Sequence, residues 1–181
     1  MDSKTVTGRA WRLGDNIDID LLTPSAYMKL PDDHSSQPPV LLHATFTRVD
    51  LPGNIVVADT NFGLLSSREQ AAQALKMAGV DVVLARSFGR VFYRNAINLG
   101  LPALFFPFAD EIAEGDRLEV DLAAGDVRNL TTGWAYCVEP IPRKVMRIIR
   151  DGGLIPHLKK RLAKQRVAHK GTLVRAAMTR Q

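Results

Sequence analysis

Residues Gly53 to Phe88 read GNIVVADTNFGLLSSREQAAQALKMAGVDVVLARSF, and this stretch decides the fold. Gly53 to Ala58 (GNIVVA) is a short apolar strand, and Asp59-Thr60-Asn61-Phe62-Gly63 carries the turn-forming residues of a loop. Ser66 opens a helix that runs to about Ala78, with Gly79 as its stop. Val80 to Ala85 (VDVVLA) is rich in β-branched residues and reads as a strand buried in a sheet. A strand, a helix and a second strand in succession indicate an α/β domain.

Outward from this unit the pattern continues in both directions. GRAWRLGDNIDIDLL, from Gly8, alternates apolar and polar residues into a Gly14-Asp15-Asn16 turn, a strand leading into a loop. Leu30 to Pro39 (LPDDHSSQPP) is a proline-rich loop. Downstream, a helix is expected over Phe88 to Leu99 with Gly100 ending it, then a strand over Leu101 to Phe108. Turns at Glu114-Gly115-Asp116, Ala124-Gly125-Asp126 and Thr131-Thr132-Gly133 separate strands at Arg117 to Leu122, Val127 to Leu130 and Trp134 to Glu139. Helix returns from Pro142 to about Arg150, stops at Gly152-Gly153, and resumes in a basic terminal segment. Strands alternating with helices and then pairing in hairpins give a mixed sheet.

The chain has 181 residues, 46% of them apolar, which is enough for one domain with a core. No apolar run reaches the roughly 18–20 residues of a bilayer span, and the first residues do not read as a secretory signal, so a cytoplasmic protein is expected. Cys137 is the single cysteine. It excludes an internal disulfide, is too little to ligate an iron–sulfur cluster, and is expected to pack in a strand. The net charge of +5 is unevenly spread: twelve of the 24 Lys and Arg, but one of the 19 acids, follow Pro142. Such a basic tail suits nucleic acid or an acidic partner. No aromatic residues are interleaved for base stacking, so the acidic partner or plain solvation is favoured over nucleic acid.

Two segments carry chemistry. In NFGLLSSREQ, Ser66 and Glu69 have the spacing of a capping box, which alone explains them as the satisfied start of a helix. The same helix start offers free N–H groups and a positive dipole end to a carboxylate, and Arg68 adds a guanidinium fork. Beside those charges a serine alkoxide is stabilised enough to remove a proton. The second segment is ARSFGRVFYRNAINLGL, from Ala85. Its Arg90 and Arg94 share a helix face beside Phe88 and Phe92; alone, it reads as a solvated stripe over packed aromatics.

Taken together, G-D-N-I-D-I-D from Gly14, N-F-G-L-L-S-S-R-E from Asn61, the ARSF segment, G-D-R-L-E-V-D-L from Gly115, T-T-G at Thr131 and G-G-L-I-P from Gly152 form one ordered series. From about Gly8 to Lys160 the series resembles the small subunit of 3-isopropylmalate dehydratase, a relative of the mobile domain of aconitase. The resemblance implies a swivelling β/β/α domain over residues 1–161, followed by a basic helical tail at 162–181. It implies a hydro-lyase that moves a hydroxyl between adjacent carbons of a malate derivative, active only with a large subunit. That subunit would hold the [4Fe–4S] cluster, whose open iron acts on the departing hydroxyl, while this chain binds no metal. Ser66 matches the catalytic base, and Ser67 and Arg68 match groups that hold a carboxylate of a small di- or tricarboxylate substrate. Tyr27-Met28-Lys29-Leu30 aligns with a specificity loop, in which Lys29 would face a carboxylate and Leu30 a branched alkyl group; read alone, it is an exposed loop with one lysine.

The family's N-F-G-C-G-S-S-R-E-H differs here: Leu64 and Leu65 replace Cys-Gly, Gln70 replaces His, and Ala26 stands where an arginine is usual. These changes leave open a related substituted malate such as homoaconitate. They also leave open an inert swivelling domain serving as an interaction or nucleic-acid-binding module.

Overall fold

Two strands that bury both faces make the centre of the molecule, which a computed structural model describes for residues 5–18, 54–64 and 69–165. In β2 (Asn54–Ala58) and β3 (Val80–Ala85) successive side chains point to opposite faces. Ile55, Val57, Val82 and Leu84 enter one core, while Val56, Ala58, Val83 and Ala85 enter the other. Burial on both sides explains why residues 55–58 and 82–85 are apolar without alternation, while Asp81, near the start of β3, is exposed. Helices α1 (Glu69–Met77) and α2 (Arg90–Leu99) cover the second core with Ala71, Ala72, Leu75, Phe92 and Ala96. Helix α3 (Arg143–Arg150) covers the first with Met146 and Ile149.

The sheet has seven strands in the order β4-β3-β2-β1-β5-β6-β7. β1 (Thr5–Arg12), β2, β3 and β4 (Ala103–Phe105) are mutually parallel neighbours. β5 (Arg117–Asp121), β6 (Asp126–Asn129) and β7 (Ala135–Cys137) form an antiparallel meander attached to β1. β1, although first in the chain, is therefore the seam of a mixed sheet, with the parallel βα units on one side and the antiparallel meander on the other. The meander's turn chemistry is buried. Asn129, 1% exposed, donates from Nδ2 to Asp116 at 2.7 Å and accepts the N–H groups of Thr131 and Thr132, which fixes the Thr-Thr-Gly turn.

Several expectations are corrected in detail. α2 starts at Arg90 rather than Phe88, because Gly89 is extended and Phe88 pairs instead with Phe62 in a parallel bridge. Its stop is as read: Gly100 sits at φ 76° and its N–H closes on Ala96 and Ile97. The strand expected over Leu101 to Phe108 narrows to β4 and gives way to a 3₁₀ turn at Ala109–Glu111. The strand expected over Trp134 to Glu139 narrows to β7, and Cys137 is exposed on it instead of packed. Residues 154–165 are helical, as the basic segment suggested; the remainder of the tail lies outside the described residues.

Candidate functional site

Because β1 to β4 run the same way, their carboxyl ends share one edge of the sheet, and the four loops that leave them meet there. Crevices at such ends are where open α/β sheets bind ligands. The first two loops are stitched together by backbone: Leu13 N–H donates to Val57 at 2.7 Å and Asn16 N–H to Thr60 at 2.8 Å. Asp15 accepts both the N–H of Thr60, at 2.9 Å, and its hydroxyl. Those two hydrogen bonds hold the Asp15 carboxyl below its ordinary range. Asn16 and Asn61 both take left-handed backbone, at φ 54° and 59°, and their side chains bond at 2.8 Å. Asparagine visits that region more readily than most residues, so its placement at both turns is expected.

A second clamp joins the loops after β2 and β3. Phe62 N–H donates to Ser87 at 3.0 Å, Gly89 N–H to Phe62 at 2.8 Å, and Asn61 N–H to the Ser87 hydroxyl at 2.8 Å. The two Phe-Gly dipeptides, Phe62-Gly63 and Phe88-Gly89, thus lie side by side. Only glycine fits the contact. A Cβ on Gly89 would stand 2.4 Å from the Gly63 carbonyl oxygen, and one on Gly63, at φ 82°, 2.4 Å from the Phe92 Cβ. Phe62 is fully buried with its ring edge-on to Phe88 at 6.2 Å and Phe92 at 5.1 Å. Beyond the clamp, the Gly63 and Leu64 N–H groups donate to Ile17 at 2.9 and 3.2 Å.

Charge reinforces the same edge. Arg12 Nη2 donates to both Asp59 carboxylate oxygens, at 2.7 and 2.6 Å, a charge-assisted contact between the ends of β1 and β2. Arg86 approaches Asp59 at 3.8 Å and pairs closely with Asp110. The Arg86 hydrogen bond keeps the Asp110 carboxyl below its ordinary range and, reciprocally, pushes Arg86 up. Arg12, Asp59 and Arg86 come from the ends of β1, β2 and β3 and Asp110 from the 3₁₀ turn after β4, so this alternating row ties the whole edge together. Arg86 is thereby engaged in this row, while Arg90 and Arg94 are exposed on α2, as expected of a solvated stripe.

The residues expected to do chemistry, Ser66, Ser67, Arg68, Lys29 and Leu30, lie outside the described residues, as do Ala26 and Leu65. Their neighbours are placed. Leu64 pairs with Asp18 in a parallel bridge and is half-buried, and Glu69 is the first described residue of α1. The described chain thus leaves off at the clamped loop and resumes at Glu69. Sequence reasoning missed the clamp residues Arg12, Asp59, Ser87 and Asp110. The repeated Phe-Gly in NFG and SFG was the one signal that pointed to it. No group of His, Cys, Asp and Glu suited to a metal occurs among the described residues, and no described helix is long and apolar enough to cross a membrane.

Comparison with known proteins agrees with this geometry. Residues 16–108 match the family model described as the aconitase C-terminal domain. The chain is 44% identical over 158 residues to 3-isopropylmalate dehydratase small subunit 1 of Thermotoga maritima, covering 86% of this chain and 95% of that one. It is 42% identical over 161 residues to the isopropylmalate/citramalate isomerase small subunit of Methanocaldococcus jannaschii, covering 87% and 96%. Among solved structures, a 3-isopropylmalate dehydratase of M. jannaschii superposes with TM-score 0.79 at 33% identity, over 91% of this chain and 99% of that one.

Proposed function

The chain belongs to the 3-isopropylmalate dehydratase small-subunit family of the aconitase superfamily, and from that membership we propose that it is the small half of a cytoplasmic hydro-lyase interconverting 2- and 3-isopropylmalate. One observation carries the reading: identity of 44% to a curated small subunit, spread over 95% of that protein's length. Within the pair, Ser66 as alkoxide takes the carbon-bound proton, the C–H electron pair becomes the double bond, and the hydroxyl leaves the adjacent carbon as hydroxide; that proton and the hydroxide together make up the water lost. Water then adds back with the opposite orientation. A positioned base of this kind contributes about 10²–10⁴-fold. Ser67 and Arg68 hold a substrate carboxylate, Lys29 faces a second one, and Leu30 meets the branched alkyl group. The clamp at residues 61–64 supports these roles, since it fixes the chain two residues before Ser66 from the two neighbouring loops, after β1 and after β3.

The donor set for a [4Fe–4S] cluster is not in this chain. Its one thiol, Cys137, is exposed on β7, an edge strand remote in the sheet from β2 and β3. We therefore assign the cluster to a large-subunit partner. A substituted malate other than isopropylmalate is the second reading. It is favoured by Leu64 and Leu65, where the family has Cys-Gly, and by the relative whose name includes citramalate.

Co-expression with a cluster-binding large subunit under anaerobic conditions tests the proposal. Ultraviolet absorbance of the unsaturated intermediate is followed with isopropylmalate, citramalate and homoaconitate in turn. Turnover with isopropylmalate, lost in Ser66→Ala, is expected; full turnover by Ser66→Ala removes the assigned base. Absence of turnover on all three, with salt-dependent nucleic-acid binding that vanishes on truncation after Arg161, would instead support the inert module.

A further inference from the structure

Between α3 and the helical residues 154–165 runs a cleft of about 800 Å³, outside the strand-end site. Ile148, Leu154 and Leu158 line its apolar part, and its remaining lining is almost wholly cationic. Asp151 is the only acid in the lining, and it is already engaged. It accepts from His157 Nδ1 at 2.6 Å and pairs closely with Lys160, which together hold its carboxyl below the ordinary range. Asp151 is also the C-cap of α3, so these bonds fasten the second helix to the end of the first and fix the cleft's shape. Lys144, Arg147, Arg161 and Lys164 remain, with no ion pair to any described residue.

Alongside the cleft the same helix exposes a row of large apolar side chains. Ile155, Leu158 and Leu162 are 61%, 40% and 57% exposed, spaced by three and four so that they share one stripe, and Leu158 joins that stripe to the cleft. An apolar row rimmed by cations on a surface helix marks an interaction face.

We propose that this cleft and stripe dock an acidic, amphipathic segment of the large subunit; this rests on the reading above that such a subunit is the partner. Charge complementarity selects the occupant. The chain's own continuation, residues 166–181, holds Arg166, Lys170, Arg175 and Arg180 and no acid, so it repels the cleft. Nucleic acid would satisfy the cations, but it would leave the leucines and Ile155 in water and find no aromatic lining to stack on. An acidic segment with apolar residues on one face satisfies both.

The test uses wild-type small subunit, an Arg147→Glu/Arg161→Glu variant and a Leu158→Asp/Leu162→Asp variant, titrated calorimetrically against purified, cluster-loaded large subunit. All four positions are exposed, and circular dichroism melts check that each variant folds. The expected result is a Kd raised at least tenfold in each variant, weaker wild-type binding at high salt, and unchanged kcat at saturating small subunit. Wild-type affinity in both folded variants overturns the proposal while leaving the function standing. So does self-association, or binding to a DNA duplex, that the variants lose without any change in large-subunit affinity. If wild type neither binds nor activates a large subunit, the functional reading falls and takes this one with it.

Discussion

Replacing Gly63 by alanine separates two physical effects that coincide at the clamp. The residue sits at φ 82°, where a Cβ costs about 1–2 kcal/mol against the backbone. That Cβ would also stand 2.4 Å from the Cβ of Phe92, which is 1% exposed and held in α2, so relief requires moving a packed helix. Overpacking of this kind costs about 1–3 kcal/mol, which brings the total to about 2–5 kcal/mol. The molecule contains its own controls. Gly133 has the same φ of 82° with nothing within 4 Å of a Cβ, so Gly133→Ala should lose only the backbone cost of about 1–2 kcal/mol. Gly89 has φ −61°, which any residue adopts, but its Cβ would lie 2.4 Å from the Gly63 carbonyl oxygen. Gly89→Ala should therefore show the contact cost alone, about 1–3 kcal/mol. Urea unfolding of the three variants measures the differences, and thermal midpoints should fall by about 2–4 °C per kcal/mol in a chain of this size. Turnover with a large subunit should drop for Gly63→Ala and Gly89→Ala and persist for Gly133→Ala, which lies in the β6–β7 turn. Equal destabilisation of Gly63→Ala and Gly133→Ala would refute the close-approach reasoning, whatever the activity did.

Asp59→Asn should destabilise by about 1.5–3 kcal/mol, since it strips the half-buried Arg12 guanidinium of its charged partner, and denaturant midpoints would show it. Asp15, Asp110 and Asp151 all have depressed carboxyl pKa values. A depressed folded value gives stability that is present above the unfolded pKa and is lost as pH falls through the folded one, so the thermal midpoint should decline from about pH 4 downward. A pH series on Asp151→Asn, which removes one of these groups, should decline less steeply; an identical slope would count against the assignment. Cys137→Ser should leave turnover and the cluster's absorption spectrum unchanged in the assembled enzyme, and Cys137 should label rapidly with a thiol reagent in the folded chain, because it is exposed. Loss of the spectrum would place a cluster ligand in this chain after all.

Much was legible from residue order because the relevant forces act over a few residues. The β-branched run VDVVLA reads as a buried strand, and β3 occupies Val80–Ala85. Gly100 had to end a helix because the backbone there needs φ 76°. The ordered motifs alone point to the family. The ends of elements were less legible: Phe88 suits a helix by composition, yet pairing with Phe62 holds it extended.

The tertiary structure alone decided which loops meet. Arg12 and Asp59 are 47 residues apart, Asn16 and Asn61 45, and Asn61 and Ser87 26. Nothing in the residues near any one of these names its partner. Strand order and direction set those meetings, and they emerge only when the whole sheet assembles, with β1 parallel to β2 on one side and antiparallel to β5 on the other. The sequence by itself therefore determined the main elements, the mixed α/β class and the family. Assembly determined that four strand ends converge, so that charges and glycines dispersed along the chain clamp a single loop.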